Sequence, residues 1–198
     1  MAEKKKVVKC VIDAEGKLGI TAISLVEFPA IEETWVHLSE HRLQAVNEER
    51  MMLYGAALIP DKHILRIDEE GNDYYITFDK ETIQKCAHLY LKKNLQHSAT
   101  LEHQFAVTGC TLVESWIIES EVDKATHLGF SLPVGTWMLG MKVDDADIWN
   151  DVKSGAVKGF SIEGIFNEVS VTMSIESLLS DLDKLLNDVK KGLKGEVG

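Results

Sequence analysis

Lys158-Gly159-Phe160-Ser161-Ile162-Glu163-Gly164 reads as a β-strand, and its place in the chain decides the fold. Side chains alternate along a strand, so Phe160 and Ile162 face one way while Ser161 and Glu163 share the other. That face presents a hydroxyl with a carboxylate beside it. The flanking Gly159 and Gly164 leave room for another backbone or a substrate strand to approach closely. Ser161 is the candidate nucleophile; the bland alternative is a bulge or a small-residue packing site. The chain enters this strand from a short helix capped by one of Asp144, Asp145 or Asp147, with Ile148, Trp149 and Val152 facing inward and Gly155 at its end. The strand continues in pieces to Met173.

Working outward, Trp137–Val143 is a strand entered by the Pro133-Val134-Gly135 turn, and Cys110–Ile118 is apolar and β-branched enough to be a central strand. Val7–Ile12 and Ile20–Val26 read as an N-terminal hairpin with Gly16 in the turn. Trp35–Leu38 and Met51–Ile59 read as further strands, with the polar stretch Ser39–Arg50 unassigned. Ile64–Ile67 and Tyr74–Phe78 flank a second hairpin turn. From Lys80 to Lys93, Ile83, Cys86, Ala87, Tyr90 and Leu91 recur at helical spacing behind Asp79 as cap, giving an amphipathic helix that covers a sheet. Many strands, few helices and no βαβ alternation predict an α+β fold: a β-barrel or strongly bent, mainly antiparallel sheet flanked by helices. After Ser174, the stripe Ile175, Leu178, Leu179, Leu182, Leu185, Leu186, Val189 and Leu193 predicts an amphipathic helix. It either docks on its own domain or serves self-association or scaffold binding, since the spacing also fits a coiled-coil seam. The expected division is a domain over 1–173 and a C-terminal helix with a frayed tail over 174–198.

The chain has 198 residues, 45% of them hydrophobic, which supports one core with an appendage. A net charge of -11 argues against a broad nucleic-acid or anionic-membrane surface and leaves proteins as the expected macromolecular partners. No signal peptide or spanning helix is expected from the N-terminal region, so the default location is cytoplasmic. Cys10, Cys86 and Cys110 have neither the number nor the spacing of a disulfide framework or zinc site and are expected as reduced core or edge residues. The sequence lacks a P-loop, a dinucleotide-binding glycine turn and a nucleophile elbow, and it calls for no cofactor.

A serine needs a base to accept its proton. Among the seven histidines, His103 follows Leu101-Glu102 ahead of a loop, where its ring can enter a cleft. His97 is the nearest competitor; His37, His41, His63, His88 and His127 have ordinary surface or helix contexts. A third group commonly orients the base. Alternation puts Glu114 on one face with Leu112 and Trp116, an unusual place for an acid, whose bland alternative is pairing with a buried Lys or Arg. Glu163 is the other candidate, and its alternative is an exposed edge glutamate. Another histidine could also fill the place. Cys110 could act as a thiol nucleophile, although cysteine in an apolar strand is usually inert.

The order and spacing of His103, Leu112–Ile118, Gly135–Met138 and Lys158–Gly164 resemble the serine prohead proteases of tailed bacteriophages, as do Ala22–Ala30 and Gly55–Lys62. The resemblance implies a herpesvirus-assemblin-like fold and a serine endopeptidase that cuts the internal scaffold, often the N-terminal segment of the major capsid protein, and frequently itself. It places the enzyme inside the assembling prohead in the host cytoplasm, with self-association expected. Carried over by position, the nucleophile falls on Ser161 and the base on His103. The strand that bears a glutamate in other prohead proteases has its look-alike near the N-terminus here, with Ala22 at the glutamate's place. Glu114, Glu163 and a second histidine therefore stay open for the third role. The alternatives are a non-enzymatic capsid-assembly or scaffold protein with the same fold, or a hydrolase of a small ester or amide.

Overall fold

The computed structural model describes residues 6–13, 15–29, 36–37, 50–68 and 70–170. The C-terminal helix expected over 174–198, the strand pieces beyond 170, His41 and most of the unassigned stretch before Arg50 lie outside the described residues. The twelve described strands are β1 Lys6–Val11, β2 Gly19–Val26, β3 Val36–His37, β4 Met52–Leu58, β5 Ile64–Ile67, β6 Asp73–Thr77, β7 Ala99–Leu101, β8 Phe105–Val107, β9 Cys110–Ile117, β10 Trp137–Val143, β11 Gly159–Ile165 and β12 Asn167–Ser170. The described helices are α1 Lys80–Lys92, α2 Lys124–His127 and α3 Ala146–Ser154.

The strands form three four-stranded sheets, ordered β12-β1-β6-β5, β3-β4-β10-β9 and β11-β2-β7-β8. This overturns the expected barrel or single bent sheet with an assemblin-like ring of helices. Among the described residues each ladder ends in two edges and none closes on itself, and the described helices are only 13, 4 and 9 residues long. The physical reason lies at the N-terminus. β1 and β2 do not pair as the predicted hairpin; β1 joins β6 in parallel and β12 antiparallel, whereas β2 joins β7 in parallel and β11 antiparallel. Asp13 turns the chain between them, its carboxylate accepting from the backbone N–H groups of Lys17 at 3.1 Å and Leu18 at 2.7 Å. β2 is buried on both faces, as suits a strand flanked on both sides and packed above and below. Cys110–Ile117 also differs from expectation: it lies at a sheet edge beside β10, and the inner strands of that sheet are β4 and β10, which are buried along almost their whole length.

Other local readings hold. β5 and β6 pair antiparallel through the turn after Asp68. Asp79 caps α1 by accepting from Thr82 N–H at 2.8 Å, and Ile83, Cys86, Ala87 and Tyr90 are buried beneath the helix. Burying a side chain as large as that of Ile83 contributes roughly 1.5–3 kcal/mol. Tyr90 meets the fully buried Trp137 edge-on, with ring centroids 5.9 Å apart, and so ties α1 to β10. Asp145 caps α3, Ile148, Trp149 and Val152 are buried, and Gly155 ends the helix at φ 76°, a conformation that glycine adopts without strain. From there Lys158 N–H bonds Val26 C=O at 2.8 Å and starts β11 along β2. No helix among the described residues is long and apolar enough to cross a membrane.

Candidate active site

The sheet β11-β2-β7-β8 carries the polar cluster. Register sets Ser161 opposite Ser24 and Ser24 opposite Thr100, so three hydroxyls on three neighbouring strands share one face. Ser161 is 5% exposed and Ser24 fully buried, while Phe160 and Ile162 turn to the core on the reverse side. Two residues on, Glu163 faces Ala22. Strands are about 4.8 Å apart, so a side chain from β11 must cross β2 to reach β7. Glu163 makes that crossing: its Oε1 accepts from Thr100 Oγ1 and lies 3.2 Å from His103 Nδ1. The methyl group of Ala22 leaves the path open; a larger side chain there would occupy it. A register shift after Glu163 sets Gly164 opposite Ile20, and a Cβ on Gly164 would come within 2.5 Å of Gly19 O. The close approach expected at this glycine is thus made by the chain's own β2.

His103 sits in the turn between β7 and β8. Glu102 and His103 have φ of 50° and 58°, two successive non-glycine residues in the left-handed region. The His103 backbone N–H donates to Ser24 Oγ at 3.0 Å, which sets the turn directly over the hydroxyl row. With Nδ1 facing a carboxylate, a neutral imidazole keeps its hydrogen on Nδ1 and leaves the Nε2 lone pair free to accept a proton.

Glu114 stands elsewhere. It lies on β9 in the sheet β3-β4-β10-β9, where it is ion-paired with Lys124 and accepts from Tyr54 Oη at 2.6 Å. Lys124 Nζ also lies over the rings of Tyr54 at 4.6 Å and Trp116 at 5.1 Å. Partial burial pushes the Glu114 carboxyl upward, but the bonds from Lys124 and Tyr54 outweigh it and hold its pKa below the usual value. Burial, helped by Glu114, pushes the Tyr54 phenol up to about 12. A carboxylate neutralised in this way has the partner expected of a structural acid. The thiols are also quiet: Cys10, Cys86 and Cys110 are free and buried, and burial, followed by Asp145 and Asp144, raises the Cys110 pKa to about 11. A protonated thiol is a poor nucleophile at neutral pH.

The other described histidines lie apart from the hydroxyl row. His97 Nδ1 is 3.1 Å from Thr111 Oγ1, His127 Nδ1 is 2.9 Å from Asp123 O in α2, and the His63 ring tilts against Tyr75. His88 is on the exposed side of α1. Among the described residues, no group of three or more His, Cys, Asp or Glu side chains could hold a metal ion.

The family model described as "Putative phage serine protease XkdF" matches residues 41–170. The chain belongs to this family. The matched segment contains His103, Glu114, Ser161 and Glu163, while β2, with Ala22 and Ser24, precedes it. No curated protein and no solved structure matches the chain. Within this phage serine protease family member, Ser161, His103 and Glu163 are brought to one face of one sheet, and Glu114 is not. Ser24, Thr100 and Glu102 were missed in the sequence. For Ser24 the signal was present, because Ala22-Ile23-Ser24-Leu25 puts a hydroxyl into an apolar run just as Phe160-Ser161-Ile162 does.

Proposed function

We propose that the chain is a serine endopeptidase of phage prohead maturation, with Ser161 as nucleophile, His103 as base and Glu163 as the acid that orients the base. The observation that carries this reading is the 3.2 Å approach of His103 Nδ1 to Glu163 Oε1, on the strand that bears Ser161 two residues earlier. Ser161 Oγ attacks the scissile carbonyl carbon as its proton passes to His103 Nε2. Glu163 stabilises the resulting imidazolium through Nδ1–H, and backbone N–H groups stabilise the oxyanion. Collapse breaks the C–N bond, with His103 returning the proton to the leaving amine. Water, activated by the same imidazole, then hydrolyses the acyl-enzyme.

The place of the acid fits the departure from other prohead proteases. Ala22 occupies the position of their glutamate, and Glu163 stands directly across the strand pair from it. Opposite residues in an antiparallel pair share a face, so a carboxylate on either strand can approach the same imidazole. The substrates in this reading are the internal scaffold, the major capsid protein and the protease itself, cut inside the assembling prohead in the host cytoplasm. Co-expression with the phage's capsid and scaffold proteins tests it. Wild type should shorten one of them, and Ser161→Ala should leave all full length; cleavage that persists in Ser161→Ala rules the reading out.

A further inference from the structure

A base is only as good as the loop that holds it, and the His103 loop is held in an unfavourable conformation. Two consecutive left-handed non-glycine residues persist only where their surroundings over-determine them. Four hydrogen bonds do so here. Glu102 N–H donates to Leu25 O at 3.0 Å, and Gln104 N–H closes the turn on Leu101 O at 3.0 Å. The other two involve side chains. His103 N–H donates to Ser24 Oγ at 3.0 Å, and the Glu102 carboxylate accepts from Glu27 N–H at 2.6 Å. Glu27 is in turn bonded by Lys158 Nζ at 3.3 Å, and Lys158 immediately precedes β11. The turn carrying the base is therefore fastened to the end of β2 and, through Glu27 and Lys158, to the head of the strand carrying Ser161.

We infer that Glu102 and Ser24 are positioning residues of the proposed reaction: together they clamp the strained turn so that the His103 ring stays against Glu163, on the sheet face that bears Ser161. The inference rests on the protease reading and adds to it the device that keeps the base in place. Two features make this more than ordinary loop packing. Both side-chain bonds act on the two residues with left-handed backbone, one on each. Moreover, Ser24, which holds the His103 N–H, is the residue directly opposite Ser161. Misplacing a catalytic group by about 1 Å can cost about 100-fold in rate.

The test separates acceptor chemistry from mere bulk. Glu102→Gln and Ser24→Thr keep an oxygen acceptor; Glu102→Ala and Ser24→Ala remove it. Each full-length variant is treated with a fluorophosphonate well below its thermal midpoint, and Ser161 labelling is followed by intact mass as rate against probe concentration. Amide hydrogen exchange at Glu27 and His103 is read in parallel. Under the clamp, Glu102→Ala and Ser24→Ala lose about 10- to 100-fold in the limiting labelling rate with little change in probe affinity. Each also speeds exchange at the amide it released, and the acceptor-retaining variants stay near wild type in both readouts. Wild-type labelling rates in both alanine variants, or equal losses in Glu102→Gln and Glu102→Ala, overturn the inference. A wild-type protein that Ser161 labelling never touches, with both amides still protected, removes the protease reading itself and reduces the clamp to a structural turn.

Discussion

Glu163 and Glu114 are both carboxylates on strand faces, each held by a hydroxyl and a nitrogen base, and the two sites differ in which base that is. Glu114 meets Lys124, whose ammonium lies over Tyr54 and Trp116, and a phenol whose ionisation burial suppresses. Its charge is neutralised in place by an ion pair and a phenol hydrogen bond. Glu163 meets the imidazole of His103, the side-chain type most often used in general acid–base catalysis, with Thr100 bonded to the same oxygen and Ser161 two residues away on the same face. The contrast teaches that an acid on an apolar strand is not informative alone. Its role is set by whether its partner is an ammonium in an ion pair or an imidazole beside a hydroxyl row.

The widest separation between the two sites should come from matched amides. Glu163→Gln is expected to lower Ser161 reactivity by roughly 10³- to 10⁴-fold, because an amide no longer stabilises the imidazolium. Glu114→Gln should leave that reactivity unchanged and lower stability by about 1 kcal/mol, seen as an earlier denaturant midpoint. Equal loss of reactivity in the two variants would break the comparison. It sharpens if the acid can be moved: Glu163→Ala alone should be inactive, and Ala22→Glu added to it should recover part of the reactivity, measured with the same probe.

Glycine substitutions probe the same contrast through packing. A Cβ at Gly164 would meet the backbone of Gly19 and Ile20, whereas at Gly140 it would meet the Tyr54 ring at 2.7 Å and Glu114 Cβ at 2.8 Å. Each alanine variant should cost about 1–3 kcal/mol in chemical denaturation. Only Gly164→Ala should also slow labelling, since it displaces the strand beside Glu163.

The smallest effect concerns pH. The folded-state pKa of Glu114 lies below its ordinary value of 4.5, so the stability it contributes is present above that value and lost as pH falls further. Asp79 behaves alike. Burial opposes its ionisation, but bonds from Lys9 and Thr82 hold its pKa down to about 2, and its contribution is lost between about pH 4 and 2. Denaturant midpoints for Glu114→Gln should therefore converge on wild type in acid while the difference due to Asp79→Ala persists to lower pH.

What could be read in the sequence was local. Alternation in Phe160-Ser161-Ile162-Glu163 gave the correct faces, because strand period depends on nothing distant. The cap Asp79 and the terminator Gly155 likewise need only their own few neighbours, whereas the cap of α3 was narrowed only to Asp144, Asp145 or Asp147, of which Asp145 fills the place. Pairing was not legible. β1 and β2 look like a hairpin, yet the partners that claim them, β6, β12, β7 and β11, begin more than sixty residues downstream of β1 or β2, and a β-branched run does not name its mate. The same limit left the third group open, since the choice between Glu114 and Glu163 depends on Lys124 and His103, neither of which is a neighbour of its glutamate in the chain.

The central claim is that Ser161 is an activated nucleophile. Its most direct test is the intact mass of concentrated wild-type protein and of Ser161→Ala, His103→Ala and Glu163→Gln after a serine-directed fluorophosphonate. The account predicts one adduct on wild type, located at Ser161, none on Ser161→Ala, and strongly slowed modification in the other two. Adduct formation in wild type that is unaffected by His103→Ala and Glu163→Gln, or that maps to another serine, would contradict it.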